Sequence, residues 1–338
     1  MKNNIAAAFW STILIIFLFI LLSCENHQAP RELFTLQKVM EIDGNASLDH
    51  YFSPGAILIN SIGRIFVVDP LCMKVTAYDS TGLYLFDFGR PGEAPGEFNT
   101  MQFRCDIDSN NNIYLTDSPF WIKIFNSEGE YLETISADVQ TINDIAVFDS
   151  NTIFISTIAF LDWEDFNPIV QIDRTGEIVN SFGEIYADTS NMPLWEKNAN
   201  LTCFLDVDNE GNIYYTSIVD YRIFKYDPEG NLVFTVEGIS PHKESYKREP
   251  PYGGRTLTAV VIDLCVDRNR IYVLWAQGCT KNGYRVDVFD KDSGEILGYF
   301  YTQVQTEMHN MGINIVNGTD FYTASYNDAI VYKFRMVY

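Results

Sequence analysis

Two segments of the chain carry closely spaced carboxylates of a kind that could bind a metal ion. The alternating side chains are Asp106, Asp108 and Asn110 in the first segment and Asp206, Asp208 and Glu210 in the second. This spacing is similar to the start of an EF-hand calcium loop. The first segment lacks the glycine at the sixth position, and the second has Ser217 where the closing glutamate belongs. Because Asp and Asn also cap turns routinely, we interpret both segments as strand-to-turn junctions and expect no calcium there.

Histidine is the other residue type that could bind a metal. The sequence contains 4 histidines, of which His50, His242 and His309 lie in segments that we interpret as loops. A zinc site would require their nitrogens at about 2.0–2.1 Å from one ion. Loops carry polar residues for many reasons, so we expect the three imidazoles not to converge. The sequence therefore predicts no bound cofactor, with calcium and zinc as the alternatives.

Aromatic and basic residues form the second class of candidate site. They fall in long loops or at strand ends next to them: Trp121, Trp163, Trp195, Trp275 and Tyr252, with Arg248 and Arg255 in a locally basic stretch. Flat aromatic rings suit sugar faces and peptide side chains, and Arg suits carboxylates or phosphates. The alternatives are that the rings pack beneath their own loops and that the arginines pair with acidic neighbours. We take these seven residues as the candidate ligand-binding set.

The N-terminus predicts export. Lys2 precedes an apolar run from Ile5 to Leu22, as in a secretory signal, although a retained membrane helix has a similar length. The run ends in Leu21-Leu22-Ser23-Cys24, which resembles the lipobox of bacterial lipoproteins. That resemblance implies cleavage after residue 23 and lipid attachment at Cys24. We expect a signal peptide over 1–23, a lipidated tether over 24–33 and a location at the cell envelope, on the outer membrane.

Composition limits the partners. The formal net charge of −22 makes binding to nucleic acid improbable, because phosphates and carboxylates repel each other. Aromatic residues make up 14% of the chain, which favours β-structure over disorder. The cysteines after Cys24 are odd in number and match no zinc pattern, so at least one thiol remains free.

A repeated unit of four strands organises the rest of the sequence. Its second strand opens with an Ile or Phe followed by an aromatic residue, at Ile65-Phe66, Ile113-Tyr114, Ile153-Phe154, Ile213-Tyr214, Ile271-Tyr272 and Phe321-Tyr322. The number of residues between successive pairs is typical of four-stranded propeller blades. The turn between the third and fourth strands carries a glycine in five copies: Gly82, Gly129, Gly176, Gly230 and Gly294. We therefore predict an all-β, six-bladed β-propeller over residues 34–338.

The last copy of the repeat has three strands, and an unpartnered strand candidate over 33–42 precedes the first copy. Pairing of this N-terminal strand with the final strand, 330–337, would close the ring and remove an exposed sheet edge. Strand direction places the tight turns on one face and the long loops on the other. The predicted long loops are 90–102, 159–167, 184–202, 239–259, 277–283 and 302–312. Long loops on one face of a rigid scaffold are the usual place for a binding site.

The segment FGRPGEAPGEF at 88–98, followed by DIDSNNNIYLTDS and the pair of strands around IKIFNSEGEYL, resembles an NHL repeat. The whole chain is similar to six-bladed propeller lipoproteins of Bacteroidetes, within the NHL and TolB-like propeller group. The resemblance implies a fold and not a chemistry. We expect a lipid-anchored binding platform for a glycan, peptide or protein. The alternative is a metal-dependent hydrolase or lyase, similar to propeller lactonases, with its site at the mouth of the channel.

Overall fold

The computed structural model describes residues 30–44, 54–157, 167–183, 202–218, 221–238, 246–248, 255–257, 261–304, 312–325 and 328–338. Residues 32–338 form one compact unit. Within the described part of the chain, no helix is long and apolar enough to span a membrane. The apolar segment that ends at Cys24 lies outside the described residues, and so do the tether residues before Pro30.

Four-stranded antiparallel sheets follow one another along the chain as six blades. The strands are β1 (Thr35–Asp43); β2 (Ala56–Ile59), β3 (Ile65–Asp69), β4 (Lys74–Tyr78) and β5 (Tyr84–Phe88) in blade 1; β6 (Met101–Ile107), β7 (Ile113–Asp117), β8 (Trp121–Phe125) and β9 (Tyr131–Ser136) in blade 2; and β10 (Ile142–Asp149), β11 (Thr152–Thr157), β12 (Ile169–Ile172) and β13 (Ile178–Phe182) in blade 3.

The remaining strands are β14 (Cys203–Val207), β15 (Ile213–Ser217), β16 (Arg222–Tyr226) and β17 (Leu232–Glu237) in blade 4; β18 (Tyr246–Arg248) and β19 (Arg255–Leu257) in a separate hairpin; β20 (Val261–Val266), β21 (Arg270–Thr280), β22 (Gly283–Asp290) and β23 (Ile296–Tyr301) in blade 5; and β24 (Ile313–Val316), β25 (Asp320–Ser325) and β26 (Ile330–Val337) in blade 6. The innermost strands β2, β6, β10, β14, β20 and β24 contact one another in a closed cycle.

The pairs of Ile or Phe with an aromatic residue lie in the second strand of every blade, where both residues are buried between neighbouring sheets. Ile65 and Phe66 are fully buried, as are Ile213 and Tyr214. The pairs therefore belong to the cores that join one blade to the next. Gly176 shows why the outer turns need glycine: its φ is +88°, and a Cβ there would lie 2.1 Å from the carbonyl oxygen of Ser136 in the previous blade.

The predicted ring closure is confirmed. β1 pairs antiparallel with β26 from Thr35 opposite Val337 to Asp43 opposite Ile330, and it completes blade 6. The strand begins at Thr35 rather than at residue 33, because Leu33 donates its N–H to the carbonyl of Tyr299 in blade 5 instead. Phe34 is 2% exposed and packs edge-on against Phe300, so the N-terminal segment ties blade 5 to blade 6.

The strand directions place the short β2–β3 and β4–β5 turns, and their equivalents in other blades, on one side, which we call the tight-turn face. The opposite side, the long-loop face, carries the β3–β4 type of connection and the passages between blades. One predicted long loop is wrong. Residues 277–283 belong largely to an extended hairpin, in which Thr280 pairs with Gly283. The predicted loop 239–259 contains the hairpin β18–β19.

Candidate functional site

A cavity of about 1260 Å³ runs along the propeller axis between the innermost strands of all six blades. Its wall extends from Gly55, Thr100 and Gly312 at the long-loop end to Ser61 and Asn209 at the tight-turn end. The channel therefore connects the two faces along the inner strands. Its size is that of a typical ligand cavity or somewhat larger.

Four aspartates of the channel wall join neighbouring blades. Asp144 accepts the N–H of Ile145 at Oδ1 and the N–H of Leu205, in the next blade, at Oδ2, both at 3.0 Å. The same arrangement recurs from Asp106 to Val147 at 2.6 Å, from Asp206 to Val266 at 2.6 Å and from Asp263 to Ile313 at 2.8 Å. These carboxylates therefore link blades 2 to 3, 3 to 4, 4 to 5 and 5 to 6.

The bridging role of these four aspartates was not predicted from the sequence, although the sequence contains a signal. Each of the four aspartates precedes an Ile, Val or Leu within the first strand of its blade. Asp106 and Asp206 lie two residues before the aspartate that caps the next turn. Asp144 and Asp263 lie further along the sequence from the capping aspartate of their own blades. Because this distance alternates from blade to blade, no single spacing marks the position. The link also depends on a backbone N–H of the following blade, which the sequence does not display.

Burial in the channel wall raises the pKa values of these carboxyls. Desolvation raises the pKa of Asp106 to about 7, against its backbone hydrogen bonds, and that of Asp263 to about 7, against the charge of Arg104 and a backbone hydrogen bond. Desolvation also raises the pKa of Asp206 well above its ordinary value, and the nearby charge of Asp106 adds to this effect. The pKa of Asp144 is raised by desolvation as well, although Arg104 opposes the shift. The channel therefore holds carboxyls that can take up protons near neutral pH.

Arg104 adds a cationic group to the channel wall beside these acids. Its Nε lies 3.9 Å from Oδ1 of Asp144, and its guanidinium lies 4.7 Å from the ring centroid of Phe204. The preceding residue, Phe103, is 36% exposed and also lines the cavity. The guanidinium and the exposed Phe103 ring lie in the same channel wall, and they offer a ligand hydrogen-bond donors and an apolar surface.

The Asp-x-Asp segments divide their residues between two structural roles. Asp106 and Asp206 bridge blades. Asp208 accepts the backbone N–H groups of Glu210 and Asn212 at 2.9 Å each, and it accepts the hydroxyl of Tyr214 at 3.0 Å. Asp108 makes the equivalent contacts in blade 2. The oxygens are thus directed at their own turns and not at a common centre.

Among the described residues, no group of three or more His, Cys, Asp or Glu side chains is arranged to hold a metal ion. The four channel aspartates lie on different blades, and both oxygens of each accept a backbone N–H. His50, His242 and His309 lie outside the described residues, so their predicted separation stays a prediction. In the described part of the chain, Cys72, Cys105, Cys203 and Cys265 form no disulfide with one another.

The predicted ligand-binding residues lie in different environments. Trp121 opens β8 on the long-loop face, is half-buried and packs edge-on against Phe120 at 5.6 Å between centroids. Arg248 and Arg255 lie opposite each other in the hairpin β18–β19. Trp275 is 7% exposed and belongs to the core between blades 4 and 5. The other three predicted residues lie outside the described part of the chain: Trp163, Trp195 and Tyr252.

A polar cluster surrounds Trp275 near the long-loop end of blade 5. Arg285 stacks on the Trp275 ring at 5.6 Å and on the Tyr299 ring at 4.3 Å. Its Nε donates to Asp287 at 2.5 Å, and Asp287 also accepts the hydroxyl of Tyr221 in blade 4 at 2.6 Å. Among the described residues, Nε1 of Trp275 and one Nη of Arg285 are buried and have no hydrogen-bond partner. Trp275 thus contributes mainly to the junction between blades.

The structure is similar to solved propellers at low sequence identity. An exported-protein candidate from Bacteroides fragilis has a TM-score of 0.59 and 11% identity, with 90% of this chain and 95% of that chain covered. Virginiamycin B lyase from Staphylococcus aureus has a TM-score of 0.53 and 12% identity, with 92% and 97% covered. At these identities the likeness shows the fold alone. No curated protein matches the chain.

A family model gives the more specific result. The model of the family DUF5128, described as a 6-bladed beta-propeller, matches residues 52–321. This range runs from the start of blade 1 into β25 of blade 6, and it thus includes the inner strands that carry the four bridging aspartates. The chain belongs to the DUF5128 family of six-bladed β-propellers.

Proposed function

We propose that the protein is a cell-envelope binding platform, anchored through lipid on Cys24, whose long-loop face and channel mouth bind a glycan, peptide or protein partner. The observation that carries the proposal is the pair Phe103 and Arg104 in the wall of a channel of about 1260 Å³. Trp121 and Phe120 add an aromatic edge on the same face. Binding sites commonly combine apolar walls with a few polar groups in this way.

The chemistry of the tight-turn face supports the same assignment. The side-chain oxygens that cap its turns accept N–H groups of their own turns, as Asp79 does from Thr81 and Leu83 and Asp227 does from Glu229 and Asn231. These groups stabilise the turns and are therefore less available to a ligand. The long-loop face carries most of the extended connections, where partner-specific contacts usually lie.

The second candidate function is a lyase or hydrolase with its site in the channel. The pKa values of about 7 for Asp106 and Asp263 favour it, because general acids and bases work best when their pKa is near the operating pH. The likeness to virginiamycin B lyase is consistent with this candidate but extends to the fold alone. Both oxygens of each carboxyl already accept backbone N–H groups, so we place binding first.

A binding assay with variants on the two faces tests the proposal. The soluble form, residues 25–338, would be applied to an array of oligosaccharides and to a library of immobilised peptides. Arg104→Ala and Trp121→Ala alter the proposed surface, and Glu177→Ala on the tight-turn face is the control. We expect the wild type and Glu177→Ala to bind the same ligand and the other two variants to lose at least about tenfold in affinity.

Two results would contradict the platform. Equal binding by all the folded variants would place the ligand elsewhere on the molecule. Turnover of the bound ligand that is abolished by Asp106→Asn or Asp263→Asn would establish the lyase or hydrolase instead. Thermal unfolding of each variant shows whether a lost affinity reflects lost folding.

A further inference from the structure

Blade 1 has an apolar side chain in its inner turn where blades 2 to 5 have polar ones. Ile62 is 72% exposed and donates its N–H to the capping oxygen of Asn60. The residues that make the same backbone contact in blades 2 to 5 are Asn110, Asn151, Glu210 and Asn269. The turn geometry therefore does not require an apolar residue at this position. Exposure of Ile62 needs another explanation.

The outer turn of the same blade departs from the repeat in the same way. Leu83 is 62% exposed, and its carbonyl accepts the N–H of Asp79, which caps the turn. The residues in the same place in blades 2 to 5 are Glu130, Glu177, Asn231 and Glu295. Two turns on one face of one blade thus both carry a large aliphatic residue where blades 2 to 5 carry a polar one.

These two turns are in contact with each other and with strand β1. A Cβ on Gly63 would lie 3.3 Å from Cβ of Ser80, so the inner and outer turns touch. A Cβ on Gly82 would lie 2.9 Å from Sδ of Met40 in β1. We call Ile62 and Leu83 the blade 1 apolar patch.

The patch lies on the side of the propeller from which the N-terminal chain departs. β1 starts at Thr35, opposite Val337, and β26 ends there at the tight-turn face. Just before β1, Glu32 bridges to Tyr299, three residues into a strand that starts from the same face. Eight peptide units separate Cys24 from Glu32, and a fully extended chain of that length spans at most about 28 Å. Lipid on Cys24 would keep this face near the bilayer.

We propose that the blade 1 apolar patch rests on the bilayer that holds the Cys24 acyl chains, so that the tight-turn face is turned toward the lipid and the long-loop face away from it. The inference rests on the anchorage in the proposed function and adds an orientation to it. Large aliphatic side chains at the boundary between headgroups and acyl chains add to the membrane affinity that an anchor provides. The proposed ligand surface then faces the partner without steric hindrance from the membrane.

The negative charge of the protein favours contact with zwitterionic lipid over anionic lipid. Asp79, beside the patch, accepts hydrogen bonds from Thr81 and Leu83 that lower its pKa, so it stays ionised. With a net charge of −22, the chain is repelled by anionic headgroups. Contact through the patch is therefore apolar in origin, strongest on zwitterionic phosphatidylethanolamine, and not weakened by salt.

Quenching of tryptophan fluorescence by brominated phosphatidylethanolamine tests this orientation. Single variants Ile62→Trp and Leu83→Trp of the lipidated full-length protein would be reconstituted in vesicles. Glu210→Trp and Glu177→Trp are matched controls, because they occupy the same turn positions in blades 4 and 3. After subtraction of the wild-type signal, we expect quenching at positions 62 and 83 to exceed that at 210 and 177 by about twofold or more.

A second arm separates the orientation from the native anchor. Residues 25–338 contain the entire closed ring and would be held on nickel-chelating vesicles through an N-terminal hexahistidine tag. If the native protein does not stay on membranes but the tagged form shows the expected difference in quenching, the proposed lipid anchorage is wrong and the proposed contact between patch and bilayer is confirmed. Equal quenching at all four positions in both experiments would contradict the proposed contact between the patch and the bilayer. Shielding of positions 62 and 83 that grows with protein concentration and without bromine quenching would assign the patch to a second copy of the chain, and also overturns the proposal.

Discussion

Oδ2 of Asp144 lies 3.0 Å from the backbone nitrogen of Leu205, and this contact joins the inner strand of blade 3 to that of blade 4. The other oxygen accepts the N–H of Ile145, so one buried carboxyl satisfies donors in two sheets. A propeller has no hydrogen-bonded ladder between its blades. Polar links of this type therefore fix the spacing of the inner strands, where the channel is formed.

Asp144→Ala should lower the free energy of unfolding by about 2–3 kcal/mol, because it leaves two buried N–H groups without acceptors. Asp149→Ala is the control: it removes a side chain that caps an exposed turn through the N–H of Asn151 and should cost about 1 kcal/mol or less. Urea unfolding followed by circular dichroism measures both. Equal losses in the two variants would show that the link between the blades contributes nothing of its own.

The raised pKa values predict that stability falls as pH rises. The carboxyl of Asp106 has a pKa of about 7 in the folded protein and an ordinary value of 3.8, so folding favours its protonated form. This contribution is complete below about pH 4 and is lost as pH rises through 7. Relative to Asp106→Asn, the free energy of unfolding of the wild type should fall by about 1–2 kcal/mol between about pH 5 and pH 8; this is less than the full pKa shift implies, because Asp106 lines the channel and is only partly buried.

Urea unfolding of both proteins at several pH values gives this difference, and Asp263→Asn should behave in the same way. At low pH, the difference in unfolding free energy between variant and wild type reports the loss of an acceptor for an N–H group. The change of this difference with pH reports the pKa shift, and the two effects are therefore separable. A difference that stays constant with pH, or that moves in favour of the wild type at high pH, would mean that the carboxyls are ionised in the folded channel.

Ring closure through β1 predicts a large effect at Phe34. This side chain is 2% exposed and packs against Phe300 and Tyr338, so Phe34→Ala should lower the free energy of unfolding by about 3–5 kcal/mol. Thr35→Ala, next to it on the exposed side, is the control. Deletion of residues 31–43 should expose the edge of β26 and cause aggregation, measured by light scattering. A soluble deletion variant with unchanged thermal stability would contradict this form of closure.

The lipobox predicts the behaviour of Cys24→Ser. Without the thiol no acyl chain can be attached, so the variant should keep its signal segment or lose detergent partitioning. Phase separation in detergent, with mass spectrometry of the N-terminus, measures both. If Cys24→Ser partitions and migrates as the wild type does, a retained apolar helix anchors the protein and the lipoprotein interpretation is wrong.

The fold could be predicted from the sequence because its main determinants are local. Pairs such as Ile113-Tyr114 must be buried, and turns such as the one at Gly129 need positive φ, so their spacing predicts the blades. The candidate site could be predicted less well. Trp275 is an aromatic residue near a loop in the sequence, but in three dimensions Arg285 and Tyr299 enclose it between blades. Asp263 links two blades only through the N–H of Ile313, which is fifty residues away in the sequence.

Metal analysis of the purified soluble form, residues 25–338, tests most directly whether the channel is a binding surface or a catalytic metal centre. The protein would be prepared without chelators and measured by inductively coupled plasma mass spectrometry, beside Asp144→Asn and Asp263→Asn. We predict far less than one calcium or zinc ion per chain and no difference between the wild type and the variants. One ion per chain in the wild type that is lost in either variant would contradict it and establish a metal site in the channel.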